Sequence, residues 1–489
     1  LQIQLSKYKI NPWIEYAQSH IRGEISKRHD NESWSEYFER QDTFFAFIYE
    51  DDNKIVAAAD IVCSFPLVYS HKYKIITDKI ECIKSEESIN DVQKLHFQYA
   101  FSTLGSNTLF PEWQTILPGQ YIVYNKKDDL LTKHYYTLCG ERQKTNKNIK
   151  EIFHDIEEKI EFRCKNKQVI LPLTGGYDSR CIAAILYQKN IKNVLCITYG
   201  KEDSYEVKTA KHIAQKLGFE WLFIPFDKDV FAYYFSDEYQ KYSTSSHLYR
   251  AVPYEQDQLA LAYLLKNNKL KDAYIVLSGF GGDYISGCHF TKNSVYNISN
   301  YVIDKHYGII TSQEKILIKK SLEGYFKNLP LSYPNNYQQW LLENRKSKFL
   351  LSALRGFEFL GGEWHLPFFD KTLMSFFDNL PFEEKLQQKY YVDFIFENYF
   401  KPLEIAILKP KSESHYYANY TIKSLIKSVL PQKLISEYKL RKFKNEKFDN
   451  CNMNLLYTLI YEKLEDKSIA FDYNINKIHA LYLLKNIQK

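Results

Sequence analysis

Apolar and polar positions along this chain keep one rhythm to about residue 142, a second to about 310 and a third beyond. In the first stretch, short apolar runs alternate with polar turns. Phe44-Phe45-Ala46-Phe47-Ile48-Tyr49, the turn Glu50-Asp51-Asp52-Asn53 and the run Ile55-Val56-Ala57-Ala58-Ala59 predict a hairpin. Leu67-Val68-Tyr69 and Lys74-Ile75-Ile76-Thr77 repeat the pattern. Leu117-Pro118-Gly119-Gln120 opens another strand, Tyr121-Ile122-Val123-Tyr124, before a polar turn from Asn125 to Asp129. With a helix containing Val92 to Leu104, this reads as an antiparallel α+β domain.

The second rhythm is different. Asn148 to Phe162 carries Ile149, Ile152, Phe153, Ile156 and Ile160 at helical spacing. Then come the buried-strand run Gln168 to Leu173, a glycine turn, and a helix with Ile182, Ala183, Ile185 and Leu186. The strand Val194 to Tyr199, a helix through Ala210, Ile213, Ala214 and Leu217, and the strand Trp221 to Ile224 follow. Strands that alternate with helices imply a parallel sheet covered on both faces. After about 310 the pattern is mainly helical. The expected organisation is two domains, 1–142 and 143–489, which suits a chain of 489 residues.

Composition narrows the function classes. Hydrophobic residues are 45% and charged residues 25%, as in water-soluble globular proteins. The net charge of +6 is slight for this length, so nucleic acid is not an expected partner. The densest basic run, Lys439 to Lys444, reads as a solvated face. Eight cysteines lie scattered with no Cys-x-x-Cys pair, which disfavours zinc sites and disulfide frameworks and fits reduced thiols in the cytoplasm. No membrane span or signal peptide is expected. The 41 Tyr and 32 Phe would suit a broad sugar or peptide surface, although an AT-rich coding sequence would give the same excess.

Two glycine loops carry the candidate chemistry. Thr174-Gly175-Gly176-Tyr177-Asp178-Ser179 stands between a buried strand and a helix, where open parallel sheets bind ligands. Its glycines let backbone N–H groups approach phosphate oxygens, and the following helix points its partially positive end there. Asp178 would repel phosphates unless Mg²⁺ lay between them; the bland alternative is a tight turn with Asp178 capping the helix. Ser278-Gly279-Phe280-Gly281-Gly282-Asp283 ends the strand Asp272 to Leu277 in the same way. The second loop alone is a weak signal. As a pair, they predict one Mg²⁺–pyrophosphate held between Asp178 and Asp283.

These loops resemble the asparagine synthetase family, whose synthetase domain has a Ser-Gly-Gly-x-Asp-Ser loop and a later Ser-Gly-x-Gly-x-Asp loop. Glu206 and Ala210 are similar to its Asp-Glu-x-x-x-Ala helix. Gly362-Glu363-Trp364-His365-Leu366-Pro367-Phe368-Phe369-Asp370 resembles its Gly-x-Glu-x-Arg-x-Pro-Phe-Leu-Asp segment, with His365 in place of Arg, and Lys411 stands where the family has an active-site Lys. Phe45-Ala46-Phe47, Ala59-Asp60, Pro66-Leu67 and Leu117-Pro118-Gly119 resemble its glutaminase-type domain.

The resemblance implies a C-terminal PP-loop (adenine nucleotide α-hydrolase-like) domain and an N-terminal Ntn-hydrolase-like one. It implies ATP as substrate with Mg²⁺, a carboxylate activated as an acyl-adenylate, and attack by ammonia or an amine. The implied nucleotide contacts are Leu173, Thr174, Gly175, Gly176, Asp178, Ser179, Ser278, Gly279 and Gly281, with Asp178 and Asp283 as metal ligands and Lys411 and Glu363 as catalytic groups.

Departures limit what carries over. Glutamine-using members expose an N-terminal Cys, whereas here the sequence reads Leu1-Gln2-Ile3 and the first cysteine is Cys63. Arg22-Gly23-Glu24 is at best a remnant of the glutamine-binding motif. The glutaminase half is expected to be degenerate, or the sequence lacks a preceding segment. Phe280 has no proton to exchange, leaving Glu363 or His365 as the base if an amine attacks. The carboxylate is expected on a small molecule, a sugar or a peptide, with surface polysaccharide modification as the leading context. Lasso-peptide cyclases, glutamine-dependent asparagine synthesis and a silent nucleotide-binding scaffold are the rivals, and a homodimer stays open.

Overall fold

The computed structural model describes all residues except 85, 126–129, 138–144, 292–296, 309, 330, 408–448, 465–474 and 488–489. The turn after Asn125, the expected boundary at 142–143, the basic run from Lys439 and Lys411 all lie outside the described residues, wholly or in part.

In the first third the strands are β1 (Gln2–Gln4), β2 (Ile14–Tyr16), β3 (Ser19–Gly23), β4 (Phe45–Glu50), β5 (Lys54–Ala59), β6 (Val68–Ser70), β7 (Ile75–Thr77), β8 (Gln114–Thr115), β9 (Gln120–Asn125) and β10 (Leu130–His134). A six-stranded sheet has the order β10-β9-β5-β4-β3-β2, and a four-stranded one β1-β7-β6-β8. The expected hairpin is β4–β5, paired antiparallel with Ala46 opposite Ala59. One pairing departs from the antiparallel expectation, because β1 lies parallel to β7. Its apolar content, Gln2-Ile3-Gln4, is too small to register in a pattern.

Asp60 closes this region's central turn. Its buried carboxylate accepts the backbone N–H groups of Phe45, Val62 and Ser64. Cys63 is buried nearby. The Arg22 guanidinium donates to Glu358 at 2.7 Å and Glu24 pairs with Arg163, so Arg22-Gly23-Glu24 ties the first sheets to later parts of the chain.

The third sheet consists of β11 (Gln168–Pro172), β12 (Val194–Gly200), β13 (Glu220–Pro225), β14 (Tyr274–Leu277) and β15 (Glu363–His365), in the order β13-β12-β11-β14-β15. All its pairings are parallel. β11 is almost fully buried, as expected of a central strand that helices cover on both faces. The helix Ile149–Cys164 precedes it, capped by Asn148 in a capping box with Glu151. It buries Ile149, Ile152, Phe153, Ile156 and Ile160, the positions read from the spacing. Beyond residue 310 the described residues are mainly helical, β15 excepted. One continuous apolar core runs from Tyr37 to Ile478 through all three sheets.

Candidate active site

β11 and β14 are adjacent and parallel, so the loops that leave their C-terminal ends emerge side by side. The first loop feeds the helix Tyr177–Gln188, whose N-cap is Gly176 and carries no capping side chain. Its first N–H groups therefore stay available to an anion. Asp178 lies in the first turn but does not cap the helix, which removes the bland reading of that residue.

The loop is braced from several sides. Thr174 N–H donates to Ser179 Oγ at 3.0 Å, and Gly176 N–H to Thr174 Oγ1 at 3.0 Å. Gly175 N–H donates to Glu206 Oε2 at 2.9 Å, from the helix Tyr205–Lys216 that follows β12. The buried Arg180 guanidinium donates to Gly175 O at 2.7 Å and to Ile407 O at 2.7 Å.

Asp178 turns toward the second loop. Its Oδ2 accepts the backbone N–H of Asp283 at 3.1 Å, and its Oδ1 accepts the Tyr391 hydroxyl at 2.9 Å. The approach requires glycine. A Cβ on Gly279 would stand 3.1 Å from Asp178 Cβ, and one on Gly282 would stand 2.3 Å from Asp178 Oδ1. Gly281 takes φ +107°, a left-handed value that glycine alone adopts readily, against the ring of Phe369.

The Asp283 carboxylate accepts from Lys346 Nζ at 3.1 and 3.0 Å and lies 3.2 Å from His289 Nε2. Burial acts to raise its carboxyl, but the Lys346 ammonium and His289 outweigh that and hold it well below the usual carboxylate range. Lys346 sits in a π-helical segment, Leu341–Phe349, a form that recurs at functional sites.

Together the two loops line a hollow of about 410 Å³, within the usual range of ligand pockets. Leu173, Thr174, Gly176, Asp178, Ser179, Ser278, Gly279 and Asp283 line it; Gly175 and Gly281 shape the loops from behind. Four carboxylates face it, those of Asp178, Glu206, Asp257 and Asp283, and among the described residues its lining contains no lysine or arginine. Asp257 accepts the Tyr199 hydroxyl at 2.7 Å, and burial pushes its carboxyl up to about 6. Phe280 lies edge-on to Tyr254 with centroids 5.8 Å apart.

Glu363 does not join this cluster. It begins β15 opposite Ile275, while the pocket lies beyond the other ends of the strands, and its carboxylate pairs with Lys167 at 2.9 Å. His365 lines a separate hollow. The base assigned by resemblance to Glu363 or His365 is therefore not supplied at the pocket by either side chain: Glu363 is the first residue of a parallel strand, away from the loop edge, and His365, the last, sets its ring against Phe44 in the other hollow. Lys346, His289, Tyr391 and Asp257 escaped sequence reasoning. Lys346 stands in Asn344-Arg345-Lys346-Ser347-Lys348, which looks like any solvated basic face.

The family model for asparagine synthase matches residues 165–451. No curated protein matches the chain. Solved structures that resemble it include an NH3-dependent NAD synthetase from Campylobacter jejuni, 18% identical over 38% of this chain and 80% of that one, with a TM-score of 0.21. An NMN synthetase from Francisella tularensis is 15% identical over 50% and 97%, at 0.21. A glutamine-dependent NAD+ synthetase from Acinetobacter baumannii is 16% identical over 52% and 51%, at 0.22. At such scores these likenesses carry no weight; the family match and the site do.

Proposed function

Since the chain belongs to the asparagine synthase family, whose match supports an ATP-dependent PP-loop ligase in general, we propose that it forms amide bonds by adenylating a carboxylate. The carboxylate oxygen attacks the α-phosphorus of ATP and pyrophosphate leaves. Ammonia or an amine then attacks the acyl carbon, the amide forms, AMP departs, and the nitrogen loses its proton to solvent or to a group of the substrate. The observation that supports this best is the meeting of Asp178 and Asp283, 105 residues apart, in one hollow between two glycine loops.

The residues present fit Mg²⁺. Asp178 and Asp283 are two of the four hard carboxylates that face the hollow, and an ATP-bound magnesium ion needs only one or two from the protein, with phosphates and waters completing its shell. Bound there by Asp178 and Asp283, it would offset the charge of the β- and γ-phosphates. The chain's own contribution is positioning. The uncapped N-terminus of the helix Tyr177–Gln188 grips the departing pyrophosphate, and preorganised N–H groups cost no rearrangement as charge develops. Lys346 and His289 keep Asp283 ionised across the neutral range. Lys411 is proposed as the cation at the α-phosphate.

The N-terminal part is proposed as a degenerate, Ntn-type amidotransferase-like domain over 1–142. For the acid, we favour a uronic or sugar-linked carboxylate. One observation favours a silent scaffold instead: both Asp283 oxygens already accept from Lys346, which competes with a metal. Pyrophosphate release with a panel of carboxylic acids separates the readings. The ligase shows acid-dependent release that Asp283→Ala lowers by roughly 10²–10³; a scaffold shows none with any acid.

A further inference from the structure

A second hollow, of about 130 Å³, opens between the Gln41–Phe45 turn, the helix Ile149–Cys164 and the segment leaving β15. Phe44, Phe45, Ile61, Ile156, Pro367 and Phe369 form its apolar walls. His365 also lines it. The residue is 8% exposed, its ring stands edge-on to Phe44, and among the described residues no hydrogen bond reaches its ring nitrogens. Its ring nitrogens are not sealed in the core but keep access to the hollow, where a ligand atom can reach them.

The surroundings define that ligand. Burial, reinforced by Arg163 and Lys159, pushes the imidazole down to about 3. It is neutral at physiological pH and offers one donor and one acceptor. The neighbouring cations are already committed, Lys159 to Asp42 at 2.7 Å and to Asp370 at 2.5 Å, and Arg163 to Glu24. Nothing there calls for a charged ligand. An apolar cavity of about 150 Å³ accepts one benzene ring, so this volume suits a single ring. Phe162, on the pocket's rim, is 75% exposed and presents an aromatic surface to anything entering.

We propose that this hollow binds a small neutral aromatic molecule carrying one hydroxyl or ring N–H, with that group bonded to His365. The site is tied to the second glycine loop. His365 O accepts the Ser278 N–H at 3.2 Å, and Phe369 packs against Gly281. It requires neither nucleotide nor catalysis, so its test is independent of the ligase reading.

The test is titration of the whole chain, without nucleotide, with phenol and with toluene, followed by calorimetry and by the imidazole nitrogen signals of His365. A purely apolar cavity would leave the hydroxyl unpaired and prefer toluene. The proposal requires phenol to bind at least as tightly as toluene and to shift the His365 signals. In His365→Phe the preference should turn toward toluene by roughly tenfold, the worth of one hydrogen bond. Phe162→Ala, a surface change, should weaken both ligands. Toluene binding tenfold tighter than phenol to the unmodified chain, or phenol binding that leaves the His365 signals unmoved, or no binding of either at millimolar concentration, would overturn it.

Discussion

Gly282→Ala tests how closely the two loops are locked together. The backbone of Gly282 is helical and outside the positive-φ region, so alanine suits its conformation and only the added methyl matters. That methyl would stand 2.3 Å from Asp178 Oδ1 and 2.4 Å from Asp178 Cγ, whereas ordinary contact begins at 3.4 Å. The loops must part by about 1 Å, a displacement that can cost on the order of 10² in turnover. The Asp178–Asp283 hydrogen bond should be lost with it. Overpacking and that bond together predict a destabilisation of about 2–4 kcal/mol. Urea unfolding of the parent, Gly282→Ala, Asp178→Ala and the double variant measures it. The three nearest atoms all belong to the Asp178 carboxylate, so in the Asp178→Ala background the Gly282 substitution should cost under about 0.5 kcal/mol. An equal cost in both backgrounds would refute the contact.

Two further predictions follow from buried charge. Lys346→Met leaves Asp283 without its ammonium; because the Asp283 side chain is 36% exposed, solvent screening limits the loss to about 1–2 kcal/mol. Proton titration of Asp283 by NMR should show its carboxyl rising, and an unmoved value would exclude Lys346 as the cause of the depression. Glu255 is buried, accepts the Tyr457 hydroxyl at 3.3 Å, and burial pushes its carboxyl up to about 7. The native state then holds a proton that the unfolded chain has released above its ordinary value of 4.5. This group therefore weakens the fold as pH rises toward and past 7, by up to about 3 kcal/mol. Relative to the parent, Glu255→Gln should gain stability between pH 5 and 8 in chemical denaturation, and parallel pH profiles would count against it.

Much of this architecture could be read from residues. The β4–β5 hairpin announces itself through two apolar runs and a charged turn, and β11, β12, β13 and β14 through buried runs that alternate with helices. The two glycine loops were legible because glycine is needed wherever one backbone must pass close to a carboxylate, as at Gly279 and Gly282. Other features leave no local trace. β15 has three residues, too few for a period, and its parallel pairing with β14 is set by partners 88 positions away. The same distance hides which end of the strand Glu363 occupies and which hollow the His365 ring enters, so both looked catalytic in sequence and sit elsewhere in space. Lys346 and Tyr391 reach the aspartates only through tertiary packing, and a lysine in a basic run or a tyrosine among 41 gives no sign of it.

The central claim is that Asp178 and Asp283 jointly accept the magnesium complex of ATP. Calorimetric titration of ATP with and without Mg²⁺, into the unmodified chain, Asp178→Asn and Asp283→Asn, tests it most directly. The account predicts binding to the unmodified chain that strengthens at least about tenfold when Mg²⁺ is present, with that gain lost in both variants. Equal magnesium dependence in all three proteins would contradict it.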